Sequence, residues 1–92
     1  MIKSFLHKGL QDFFYTGRRS GIRPDHASKL ARQLARLHAA QAPEDMNLPG
    51  WKWHLLKGAL VNHYAVSVNC NWRMTFKFEG QDAILVDYQD HH

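Results

Sequence analysis

Seven residues, Trp72-Arg73-Met74-Thr75-Phe76-Lys77-Phe78, alternate apolar and polar without a break. A period of two belongs to a β-strand with one buried face, because successive side chains leave the pleat on opposite sides. Trp72, Met74, Phe76 and Phe78 then supply a core, and Arg73, Thr75 and Lys77 face away from it. Glu79-Gly80-Gln81-Asp82 reads as a turn, and Ala83 to Tyr88 as a last strand. His63 to Val68 alternates more loosely, and Trp51-Lys52-Trp53-His54-Leu55 also has period two. The connections at 69–71 and 79–82 are short enough for hairpins, so these strands are antiparallel neighbours.

The first half of the chain has a different period. Leu10, Phe13 and Phe14 sit at helical spacing between His7 and Thr16, with Gly17 at the C-terminal stop. Residues 24–41 form the clearest helix: Pro24 suits its first turn, and Asp25 its positive end. Ala27, Leu30, Ala31, Leu34 and Leu37 make one apolar stripe, with Lys29, Arg32 and Arg36 away from it and Gln33 beside them. Met1 to Phe5 reads as a short strand, "GRRSGIRP" as a basic turn and "QAPEDMNLPG" as a loop. Helices first and a meander after give an α+β fold, with two N-terminal helices on one face of a small antiparallel sheet.

Ninety-two residues are one domain, 1–92. At 45% apolar and 12% aromatic, the chain can bury a core. The lone Cys70 excludes an internal disulfide framework and a multi-cysteine zinc site, and it fits a reducing compartment. "MIKSFLHKGL" holds no apolar run of signal-peptide or membrane-span length, so the expected location is the cytoplasm. A net charge of +4 and seven histidines suit a polyanionic partner, most often nucleic acid.

The open face of the sheet is where chemistry is expected. It carries Arg73, Thr75 and Lys77; His54 alternates against Trp53 and Leu55 and can share it; Lys57 follows just beyond. A tight turn after the last strand would fold Asp90, His91 and His92 back over this face. Cleavage of RNA by its own 2′-hydroxyl needs a base, an acid for the leaving 5′-oxygen, and cations for the phosphate. Histidine serves either proton role, and arginine and lysine match phosphate. Spacing alone leaves two other readings open: a histidine metal site, for which H-x-x-x-H and cysteine partners are lacking, and a strand histidine without a task.

"MIKSF…HKGL", "WHLLKG", "NWRMTFKF" and "VDYQDHH" together resemble the HigB toxins of the RelE superfamily, over nearly the whole chain. The resemblance implies a RelE-like microbial ribonuclease fold and ribosome-dependent mRNA cleavage in the decoding site, with no cofactor. It also implies a monomeric free toxin, neutralised by a helix-turn-helix antitoxin of HigA type that carries the complex to operator DNA. No membrane partner is implied. His54 matches a catalytic histidine, Arg73 a phosphate-binding arginine, and Asp90 and His92 the catalytic groups of the tail. Lys57, Lys77 and His91 fall to RNA contact, His91 standing where such toxins commonly have tyrosine. Two rivals remain: a ParE-like gyrase poison, which has no need of the His54/Arg73/Asp90/His92 set, and a non-catalytic nucleic-acid-binding module.

Overall fold

The computed structural model describes residues 1–90. Helix α1 spans Lys8–Thr16 and helix α2 spans Ala27–Ala39. Strands β1 (His54–Leu55), β2 (Tyr64–Asn69), β3 (Trp72–Glu79) and β4 (Asp82–Asp90) come after them. Among the described residues they make one antiparallel sheet in the order β1-β2-β3-β4, the expected meander.

The helix ends have clear causes. The His7 ring accepts the Leu10 backbone N–H at 3.0 Å, satisfying one of the orphan donors of the first turn of α1. Gly17 ends the helix at φ 80°, and its N–H returns to the Phe13 carbonyl. The expected helix over 24–41 is divided: Pro24–His26 is a single 3₁₀ turn, and α2 begins at Ala27. Gln33 is buried on the apolar stripe, while Ala31 is exposed. Position 33 lies three residues beyond Leu30 and four before Leu37, so helical spacing carries it inward. Its Nε2 donates to the Ser67 carbonyl at 2.8 Å, tying α2 to β2.

The sheet buries one face against the helices. Val66 and Val68 of β2, Met74 and Phe76 of β3, and Val86 and Tyr88 of β4 join Leu10, Leu30, Leu34 and Leu37 in one core. Tyr88 is anchored through its hydroxyl, 2.5 Å from Nδ1 of the buried His26. The N-terminal segment runs parallel to β4, bridging Ile2 to Ala83 and Phe5 to Val86, and so covers that edge. The backbone N–H of Lys3 donates to the Ala83 carbonyl, and that of Leu6 to the Val86 carbonyl, both at 2.8 Å.

Regular pairing breaks in two places. Thr75 faces Asp87 while Lys77 faces Ile84, so Leu85 and Val86 together oppose Phe76. This is a β-bulge, with Leu85 at φ 55° and its N–H bonded to the Ser4 hydroxyl at 2.9 Å. The first strand is shorter than its alternation suggests. Lys52 turns left-handed at φ 52°, so the Trp51 carbonyl accepts from Ser67 N–H and ladder pairing resumes only at His54.

Gly9 in α1 presses on Gly21 in the loop before α2; a Cβ on Gly9 would lie 2.4 Å from the Gly21 carbonyl oxygen. Helix propensity favours alanine over glycine by up to about 1 kcal/mol. Backbone is poorly able to yield, so overpacking at about 1–3 kcal/mol wins. Gly9→Ala is therefore expected to lower the urea midpoint, and an unchanged or raised midpoint would refute the close approach.

Candidate active site

The open face is built in rows set by strand register. His54 pairs with Ala65, Ala65 with Thr75, and Thr75 with Asp87. The next row is Ser67, Arg73 and Gln89. Ala65 and Thr75 are buried and short, so they form a floor below the longer side chains. Lys52, His54, Ser67, Cys70, Asn71, Trp72 and Arg73 line a cleft of about 220 Å³. Such a volume is smaller than a drug-sized pocket of about 300 Å³ or more, and suits a phosphate with its sugar.

His54 is exposed, and its Nδ1 lies 2.8 Å from the Lys52 carbonyl oxygen. A carbonyl only accepts, so Nδ1 carries the proton and Nε2 is the basic nitrogen of the neutral ring. Lys52, whose carbonyl meets the ring, itself lies in the left-handed region at φ 52°. Arg73 is half-buried between Ser67 and Gln89, and its Nη2 approaches the Gln89 Oε1 at 3.4 Å. Asp87 and Gln89, not among the residues expected at the site, also stand on this face. Their signal was the same alternation that selected Arg73, applied to the neighbouring strand.

The tail differs from expectation. Instead of turning back after Tyr88, the chain keeps pairing, and β4 runs on to Asp90 in register with Trp72. Two further residues of ladder satisfy backbone groups that a turn would expose. Alternation then puts Asp90 on the side of Tyr88, not of Arg73. Asp90 lines a second cleft of about 250 Å³ with Arg23, His26, Asn69, Cys70, Asn71 and Trp72. Cys70, Asn71 and Trp72 border both clefts, so the β2–β3 turn is the ridge between them.

The other expected residues are spread out. Lys77 shares the open face but lies four residues along β3 from Arg73, about 13 Å away. Lys57 is exposed where a 3₁₀ turn over Gly58–Leu60 begins, and is absent from the lining of either cleft. His91 and His92 lie outside the described residues. Among the described residues, no group of three or more His, Cys, Asp or Glu could hold a metal ion.

The family model for the RelE-like toxin of type II toxin–antitoxin system HigB matches residues 3–92. The chain belongs to the HigB family of toxins. A relative from Proteus vulgaris, endoribonuclease HigB, is 36% identical over 92 residues, covering 100% of both chains. As a type II toxin of this family, the chain has an antitoxin partner. No helix among the described residues is long and apolar enough to cross a membrane.

Below the second cleft of this HigB-family toxin, His26 is only 2% exposed, and burial lowers its pKa. Burial raises that of Tyr88, against an opposing hydrogen bond from the Arg23 backbone. At the rim, the Arg23 guanidinium holds the Asp25 carboxyl below its usual range through a 3.2 Å hydrogen bond. A depressed histidine pKa means the unfolded chain binds the proton more readily. The contribution is complete above the unfolded value of about 6.5 and is lost as pH falls below it. Stability to urea is expected to fall from pH 7.5 to 5.5, this group supplying at most about 1.4 kcal/mol per pH unit. The fall should be smaller in His26→Asn. An equal fall in the variant would contradict a buried neutral His26.

Proposed function

We propose that this endoribonuclease toxin cuts mRNA held in the ribosomal decoding site, by acid–base catalysis that uses no metal. The observation that carries the reading is the cleft shared by His54 and Arg73, with His54 oriented by the Lys52 carbonyl. His54 Nε2 takes the proton of a 2′-hydroxyl, and the freed oxygen attacks the adjacent phosphorus. The P–O5′ bond breaks, leaving a 2′,3′-cyclic phosphate and a 5′-hydroxyl. Arg73 faces the negative charge that grows on the phosphoryl oxygens.

The proton for the leaving 5′-oxygen comes from the tail. Asp90 lies opposite Trp72, which borders both clefts, and two further residues span at most about 7 Å. His92 is the acid in this proposal, Asp90 completes the catalytic set, and His91 contacts RNA. Lys57 and Lys77, outside the cleft, add general attraction for the nucleic acid. The antitoxin is a small helix-turn-helix protein of HigA type that brings the complex to operator DNA. The ribosome places the toxin's work in the cytoplasm.

Arg73→Ala tests the reading. Its strand is held by the opposite face, so the fold should survive. Losing a donor aimed at transition-state charge costs about 2.7–4 kcal/mol, or about a hundredfold to a thousandfold in rate. Single-turnover cleavage at saturating toxin should fall by that factor, while ribosome affinity changes little, being spread over many cations. Near wild-type cleavage once saturated would reduce Arg73 to a docking contact. A chelator selective for transition metals should leave wild-type cleavage unchanged; loss of activity restored by zinc would refute the metal-free mechanism.

A further inference from the structure

The open face carries a hydrogen-bonded chain that ends at Arg73 and whose other members, Asp87 and Gln89, the proposed cleavage mechanism does not use. Asp87 accepts the Tyr88 backbone N–H on one oxygen and the Gln89 Nε2 on the other, both at 2.8 Å. Gln89 Oε1 then faces Arg73 Nη2 at 3.4 Å. The amide has only one consistent orientation here. A carboxylate accepts and a guanidinium donates, so the Gln89 nitrogen must point to Asp87 and its oxygen to Arg73. Gln89 thus holds one end of the guanidinium, and among the described residues Arg73 Nε is buried without a partner.

We propose that Gln89 is a positioning residue for Arg73: it passes the orienting pull of Asp87 to the guanidinium while keeping the carboxylate one side chain away. The inference rests on the proposed cleavage activity and adds a reason for that order of residues. A carboxylate in direct contact with Arg73 would form an ion pair and compete with phosphate for the same donors. A neutral amide between them fixes the fork by a long, weak hydrogen bond and leaves the charge for the substrate. Tyr88, between the two polar residues, is locked into the core by His26, so Asp87 and Gln89 stand on a rigid strand.

Two near-isosteric variants separate charge from orientation. Gln89→Glu places a carboxylate on Arg73 and sets it against Asp87. Two facing carboxylates raise the pKa of the pair, so the variant keeps a proton at lower pH and resembles the amide there. Gln89→Met removes the hydrogen bonds without adding charge. Single-turnover rates on programmed ribosomes are measured at saturating toxin, at pH 6.0 and pH 8.0, each as a ratio to wild type. Gln89→Glu is expected to lose at least about tenfold at pH 8.0 and clearly less at pH 6.0. Gln89→Met is expected to lose about threefold to tenfold, equally at both. If both variants fall by one common factor at both pH values, Gln89 only fills space. If Gln89→Glu matches wild type at both, the spacer role is wrong. Wild-type cleavage of the same ribosomes reports separately on the cleavage activity, so the two failures are distinguishable.

Discussion

The pairing of β3 with β4 is the constraint on which the site depends. Trp72 faces Asp90, Arg73 faces Gln89, and Thr75 faces Asp87; Arg73, Thr75, Asp87 and Gln89 share the open face, each beside an apolar residue on the other side of the pleat. A slip of one residue would drive Arg73 into the core and expose Met74 and Phe76, both fully buried. The burial of those side chains therefore fixes the register, and the register fixes the chemistry. Beyond Thr75 the bulge at Leu85 interrupts the regular ladder, and the Ser4 hydroxyl of the N-terminal segment accepts the Leu85 N–H. The regular stretch between Trp72 and Thr75 carries the candidate site residue Arg73 and holds it beside Gln89.

The same register divides the candidate catalytic groups between two clefts. His54 and Arg73 share one, and Asp90 lines the other, with the β2–β3 turn as the common wall. An in-line displacement needs its base and acid on opposite sides of the phosphorus. His54 on β1 and Asp90 at the end of β4 lie to either side of Arg73 in sheet order, an arrangement compatible with that need. Asp87, Gln89 and Arg73 add a relay running across the open face from β4 toward the cleft.

Much of this was legible in the sequence because burial leaves a periodic trace. The alternation of Trp72 to Phe78 gave both faces of β3, and the Leu30–Leu34–Leu37 stripe gave α2 its inward side. What escaped the reading was decided by single backbone or pairing events without a periodic signature. Lys52 turning left-handed cut the expected strand Trp51–Leu55 to His54–Leu55, and its carbonyl meets the His54 ring. The extension of β4 to Asp90 depends on pairing with Trp72, a long-range contact that no local pattern encodes. Gln33 looked polar and therefore exposed, yet its amide found the Ser67 carbonyl inside the fold.

The central claim is that this face cleaves RNA by proton transfer when the ribosome presents the substrate. It is tested most directly by giving the purified toxin one mRNA in two forms, free in solution and bound to programmed ribosomes, and identifying the new ends. Cleavage confined to the ribosome-bound message, with a 2′,3′-cyclic phosphate on one fragment and a 5′-hydroxyl on the other, is the predicted result. Equal cleavage of free RNA, or fragments ending in a 5′-phosphate, would contradict it.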